Sequence, residues 1–281
     1  MDFSEFLATG WGLAVFIIVD IAVLVLIMAL NYKWLFKRVL DILFSFVFLA
    51  VFFVFFLIAL LADAIYNKAT NAYASLFVSE YYCGKKGKPV KVTVFATERI
   101  RHDEAGALLP LRERRTAMGK FLSACGMKYY PCLAAVFAGR MSFVGPRPMS
   151  LADAAALSDE GRRRFAVRPG LVSSLERYGG EGLTYPDMFE EDALYAEHPN
   201  LFRDISFFVA KIAHRLRGDD PEKLYGECAQ KGYIDWLSGS GEISEEDAAE
   251  YRKEGQDRLE GYRRRDDERK EFERRMFNNY K

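Results

Sequence analysis

The sequence predicts an α+β fold that is mainly helical and held in a membrane by its N-terminal end. Three observations carry this. Two apolar runs of helical length, 11–30 and 39–62, lie in the first quarter of the 281 residues. Lys91-Val92-Thr93-Val94-Phe95-Ala96 alternates and is rich in β-formers, so it predicts a short strand. Residues 201–217 carry apolar and basic residues at helical spacing. The chain divides into a transmembrane helix at 1–32, a membrane-anchoring helix at 33–66, a compact domain at 67–218 and a charged helical extension at 219–281.

Acidic and basic residues are equal in number, 39 each, so no global field draws in nucleic acid. The cysteines Cys83, Cys125, Cys132 and Cys228 lack C-x-x-C spacing and the three histidines are scattered, which leaves a structural zinc ion without ligands. Each cysteine reads as a free, partly buried thiol, as in a reducing compartment.

The first apolar run fits a cleaved signal peptide poorly. Asp2 and Glu5 precede it and no small-residue cleavage site follows. Lys33, Lys37 and Arg38 come next, which predicts that 31–38 lie in the cytoplasm. Asp20 sits mid-run, where a carboxyl costs about 2.5–3.5 kcal/mol on insertion scales. It contacts a partner helix or is protonated or locally hydrated. The second run holds no proline or glycine, the usual sources of a kink, so a straight helix there would span. Lys85, Lys86, Lys88 and Lys91 after it favour the cytoplasm, which a re-entrant helix would satisfy.

The densest local pattern is Met141-Ser142-Phe143-Val144-Gly145-Pro146-Arg147-Pro148. Gly145 opens backbone angles closed to other residues. Pro146 and Pro148 fix their own φ and push their predecessors towards extended backbone. Arg147 therefore projects its planar fork from a stiff strut, a geometry that suits a phosphate.

This motif resembles the signature of the bacterial sugar transferases, monotopic phosphoglycosyl transferases that move a sugar phosphate from a nucleotide sugar to polyprenol phosphate. Further ordered similarities are Lys37-Arg38-Val39-Leu40-Asp41, Thr97-Glu98-Arg99-Ile100, Thr116-Ala117-Met118-Gly119-Lys120-Phe121-Leu122 and Val167-Arg168-Pro169-Gly170-Leu171. They cover about 33–218. The resemblance implies a broken, re-entrant anchor helix, a cytoplasmic domain at the bacterial inner membrane, and phosphate binding by Arg147 and Arg168. Gly145, Pro146, Pro148, Pro169 and Gly170 would be the framing motif residues.

The chain also departs from the family. An Asp-Glu dyad, the nucleophile and metal ligand, is expected within 127–133, where Pro131 and Leu133 are kept; Lys128 and Tyr129 hold its two positions. An ammonium repels Mg²⁺ and a neutral phenol is a poor ligand for it. The family's Lys-Phe-Arg element is missing; Arg112, Arg114 and Arg115 could replace its charge but not its register. Glu176, Tyr178 and Gly180 stand for Gln, Asn and Arg, while Gly179 is retained. A carboxylate at 176 would oppose a phosphate.

The remaining chain yields bland readings. Residues 150–165 read as a helix with a basic end at Arg162, Arg163 and Arg164. Asp192-Ala193-Leu194-Tyr195 resembles the family's Asp-Leu-Tyr-Tyr. In 201–217, Phe207, Phe208, Ile212 and Leu216 form an apolar face and Lys211, Arg215 and Arg217 a basic one, suited to the inner leaflet or to the domain core. Ser244-Glu245-Glu246-Asp247 starts a charged helix whose stripe (Tyr251, Leu259, Tyr262, Phe272, Met276) is thin and weakened by Gly255 and Gly261, so a solvated helix is expected.

These readings imply a sugar-transferase-like membrane protein without an intact catalytic pair and with no cofactor. It would partner or regulate an active relative in glycan assembly, or hold polyprenol phosphate. One rival is a divergent active transferase using Mg²⁺ and a relocated carboxylate, with Glu98, Asp103 and Glu104 nearby in sequence. Another is a two-span scaffold whose domain lies outside.

Overall fold

The computed structural model describes residues 4, 6, 9–69, 75–99, 114–177, 183–218, 225, 226, 228 and 232–278. Ile100, Asp103, Glu104, Arg112, Tyr178, Gly179 and Gly180 lie outside them. Helix α1 (Gly10–Leu30) leaves its side chains exposed from Leu13 to Ile27 and is long and apolar enough to cross a membrane. A π-turn at Tyr32–Phe36 joins it to α2 (Lys37–Val51), which is followed by α3 (Phe53–Ala69).

Helices α2 and α3 meet at Phe52 with a bend of 58°. The run is therefore broken, as the resemblance implied, although it lacks proline and glycine. The cause is a tertiary contact. The Tyr130 hydroxyl donates to the Leu49 carbonyl at 2.6 Å in the last turn of α2, and the Tyr130 ring stacks on Phe56 with centroids 4.7 Å apart. A side chain inserted at a helical carbonyl bends the ladder as a proline would.

Strands β1 (Phe77–Cys83) and β2 (Pro89–Phe95) form an antiparallel hairpin, and β4 (Met149–Ser150) adds to β1, in the order β2-β1-β4. Strand β2 is the one the alternation predicts. Strand β1 carries no alternation, because Val78, Ser79 and Glu80 are all exposed. Strands β3 (Ser142–Gly145) and β5 (Gly170–Ser173) pair in parallel.

Helix α4 (Ala117–Cys125) starts on the Thr116 side chain, which accepts from Gly119 N–H, and ends at left-handed Gly126. Next come α5 (Cys132–Phe137) and α6 (Leu151–Ala155). The helix expected over 150–165 stops at Ala155, and Gly161–Ala166 is a separate 3₁₀ turn. That break turns Arg164 inward, so it is buried rather than part of a solvated basic end. Helix α7 (Tyr185–Glu197) begins with a capping box from Thr184 and Asp187, and α8 (Leu201–Arg217) matches its predicted bounds.

Helix α9 (Tyr233–Ser240) leads to α10 (Glu245–Asn278). The first half of α10 is not the solvated helix expected. It lies along α6 so closely that a Cβ at Gly255 would sit 2.6 Å from the Ala152 nitrogen, and Ala248 is fully buried. Gly255 thus permits the contact it was expected to weaken. Beyond Tyr262 the helix is mostly exposed and laced with ion pairs such as Asp266–Lys270 at 2.5 Å.

Two buried carboxylates fasten the membrane helices to the domain. Asp41 on α2 accepts from the Ser142 hydroxyl and the Phe143 N–H, each at 2.8 Å. Asp204 on α8 accepts from Tyr32 and Lys37 at 2.5 Å and from Tyr195 at 2.6 Å. Replacing Asp41 with alanine strands two buried donors, at about 1–3 kcal/mol each. Thermal unfolding of the detergent-solubilised D41A protein is expected several degrees below wild type; an unchanged midpoint would show that this contact does not fasten α2.

Candidate functional site

The Gly-Pro-Arg-Pro strut leaves the end of β3 and is held on both sides. A Cβ on Gly170 would lie 2.1 Å from the Gly145 nitrogen, so the parallel β3–β5 pair needs both glycines. The Gly170 N–H donates to Pro146 O and the Ser142 N–H to Pro169 O, both at 2.9 Å. Arg164 then donates to the Arg147 carbonyl at 2.5 Å while pairing with Asp192 at 2.8 Å. Both partners of that ion pair are buried, and Ser174 donates to Asp192 at 2.5 Å. Burial pushes the Asp192 carboxyl above its ordinary range; Arg164 and Ser174 oppose the shift.

The Arg147 guanidinium is presented as predicted but is already engaged. It donates to the Cys228 carbonyl at 2.7 Å and lies over the Tyr225 ring, 5.3 Å from its centroid. It lines a cavity of about 300 Å³ with Tyr82, Ser150, Asp153, Tyr185 and Gly232. Both Asp153 oxygens are taken, by the Ser150 hydroxyl at 2.7 Å and the Ile234 N–H at 3.0 Å.

Glu176 does not stand as a bare charge against a phosphate, as its position suggested. It is buried and accepts from Lys211 at 2.6 Å and Tyr225 at 2.7 Å. Burial, and then Glu176 itself, hold the Tyr225 phenol well above its usual range, so it stays the donor. Lys211 and Arg215 are likewise turned to protein partners: Arg215 donates to Ala124 O at 2.7 Å and closes the end of α4.

Lys128 and Tyr129 occupy a 3₁₀ turn (Met127–Tyr129) between left-handed Gly126 and Pro131, at the foot of α5. The Lys128 ammonium lies over the Tyr129 ring, 5.6 Å from its centroid. Tyr129 also edges a second, apolar cavity of about 250 Å³, walled by Phe48, Phe52, Leu133, Phe143 and Phe208 and rimmed by Lys211 and Arg215. An ammonium and a phenol are not a donor set for a hard divalent cation. Among the described residues, no three His, Cys, Asp or Glu side chains gather to hold a metal. Glu98 faces Arg114 at 3.6 Å.

Arg168 is not brought to Arg147. Its Nε donates to Gly139 O at 2.7 Å and it lines neither cavity. Sequence reading missed the Arg164–Asp192 pair, the Glu176–Lys211–Tyr225 cluster and the Tyr130 wedge. The Asp192-Ala193-Leu194-Tyr195 similarity was the one signal for the first.

Comparison with known proteins adds three findings. A family model described as bacterial sugar transferase matches residues 32–218. The chain is 25% identical over 169 residues to the uncharacterized sugar transferase EpsL of Bacillus subtilis, covering 60% of this chain and 81% of that one. It is 29% identical over 194 residues to the UDP-glucose:undecaprenyl-phosphate glucose-1-phosphate transferase of Caulobacter vibrioides, covering 66% and 71%.

Breaking a buried ion pair from one side costs about 3–5 kcal/mol. Arg164→Met leaves Asp192 unpaired and the strut carbonyl without its donor. Thermal unfolding is expected to show severe loss of stability in R164M, partly recovered in R164M/D192L; equal midpoints for R164M and wild type would contradict this support of the strut.

Proposed function

The chain belongs to the bacterial sugar transferase family, and from that premise we propose that it is a member without transferase activity that holds polyprenol phosphate or partners an active relative in glycan assembly. One observation carries the reading: the Lys128 ammonium rests on the Tyr129 ring where the resemblance expects an attacking carboxylate and a metal-binding one. No relocated carboxylate takes their place among the described residues around the strut. Asp153 has both oxygens committed to protein donors, Glu176 accepts through Oε1 from Lys211 and Tyr225, and Asp192 is paired with Arg164 and accepts from Ser174. Mg²⁺ has no role in this reading, because the residues at the dyad positions do not fit it.

The lipid part rests on the second cavity. Its walls are aromatic and aliphatic, it begins at the bend between α2 and α3, and cationic Lys211 and Arg215 mark its polar rim. An isoprenoid chain suits such walls; a phosphate at the rim would share Lys211 with Glu176 and Arg215 with the Ala124 carbonyl. The Caulobacter relative is named for undecaprenyl phosphate, which agrees with this chemistry. In this arrangement the bent α2–α3 pair re-enters, and the domain lies on the cytoplasmic face of the inner membrane.

Incubating the purified chain with a panel of nucleotide sugars, polyprenol phosphate and Mg²⁺ is expected to release no nucleoside monophosphate above a protein-free control. Release that disappears on mutating one carboxylate would overturn the reading and establish a divergent active transferase. Topology has its own test. Cys228 is buried, but Cys125 is exposed. A membrane-impermeant maleimide should label Cys125 in inside-out vesicles and spare it in intact spheroplasts; the reverse pattern would put the domain outside.

A further inference from the structure

A group of cations remains that neither cavity uses. Arg38, in the first turn of α2, donates to Val136 O and Phe137 O, each at 2.7 Å. Arg168 reaches the same turn from the far side through Gly139 O. The fit is tight: Gly139 has φ +78° and a Cβ there would lie 2.9 Å from Arg38 Nη2. The β1–β2 turn carries Lys85, near enough to Arg168 for the two charges to interact. Its ammonium is pushed below the ordinary lysine range by burial first, then by Arg168, Lys86 and Lys33 around it. That turn is specifically shaped, since Lys86 is the one non-glycine at positive φ among the described residues, at 58°.

The carboxylates nearby offset these charges only in part. Asp41 faces Arg38, but both its oxygens accept from Ser142 and Phe143. Glu197 meets Lys33 through its backbone carbonyl at 2.8 Å, and its carboxylate pairs with Arg163 at 3.7 Å. Arg168 commits Nε to the protein, and its terminal nitrogens meet no acceptor among the described residues. Cations from three separate segments thus converge at a cost in repulsion that an anion would remove. Lys33 and Arg38 also flank the junction of α1 and α2, where two apolar helices leave hydrocarbon. That is the depth of the headgroup phosphates.

We propose that Arg38, Arg168, Lys85 and Lys33 bind the phosphate of an anionic phospholipid headgroup at the foot of the anchoring helix. Arg168 supplies the planar fork and Lys85 the mobile point charge. The site is separate from Arg147 and rests on membrane insertion of α1–α3, not on the inactivity proposed above. Nucleotide release would overturn that inactivity and leave this site standing.

The test is native mass spectrometry of the delipidated full chain titrated with phosphatidylglycerol or phosphatidylcholine. Wild type should retain one phosphatidylglycerol at least tenfold more tightly than phosphatidylcholine. The K85Q/R168Q variant should lose that preference, whereas Lys91→Gln, at an exposed lysine of β2, should keep it. K85Q alone removes no backbone contact and should lower the preference at least threefold, so a misfolded double variant leaves the test intact. Equal retention of both lipids, or an unchanged preference in K85Q, would overturn the proposal. Inorganic phosphate at millimolar concentration should not displace the lipid; full displacement would make this a free-anion site instead.

Discussion

The Asp41 carboxylate is the constraint on which the arrangement depends. It comes from a helix that is apolar beyond its basic first turn, apart from Asp41 and Ser45, and it is buried and satisfied by the hydroxyl and the backbone N–H of adjacent residues on β3. Burying a carboxylate is costly unless donors meet it, and β3 supplies donors to Asp41 just before the Gly-Pro-Arg-Pro strut. The position of Arg147 is therefore referred to the membrane anchor through a few bonds. Asp204 repeats the device one layer away, gathering Tyr32 and Lys37 from the membrane end and Tyr195 from the domain core.

Seen from that constraint, the buried charges divide cleanly. Asp41, Asp192 and Asp204 all hold structure, and each has its donors within hydrogen-bond distance. Arg164 and Asp192 support the strut from behind, so the phosphate-suited geometry at Arg147 survives. At the dyad positions the turn survives as well, framed by Gly126 and Pro131, while its side chains have become a cation and an aromatic ring that stabilise each other.

Local signals in the sequence were dependable and long-range ones were not. Strand β2, helix α8 and the start of α10 follow from alternation, amphipathic spacing and an N-cap, all set within a few residues. The bend at Phe52 could not be read from its own segment, because the hydroxyl that produces it is 81 residues away. Arg164 looked like one of three solvated arginines; only the fold brings Asp192 to it. Gly255 carried the opposite message from its helix propensity, since its missing side chain lets α10 touch Ala152. That Arg147 and Arg168 occupy different places was equally illegible in the sequence. Both lie beside stiff Pro-containing segments, but the topology points one at the strut cavity and the other at the foot of α2.

The proposed inactivity requires that no carboxylate of this chain attacks a nucleotide sugar. Intact-protein mass spectrometry measures this directly, because attack by a carboxylate would leave a phosphosugar on the chain. After incubation with nucleotide sugars and Mg²⁺, with polyprenol phosphate withheld so that no acceptor can discharge the adduct, the account predicts an unchanged mass. A mass increase of one sugar phosphate, abolished by replacing a single carboxylate, would contradict it.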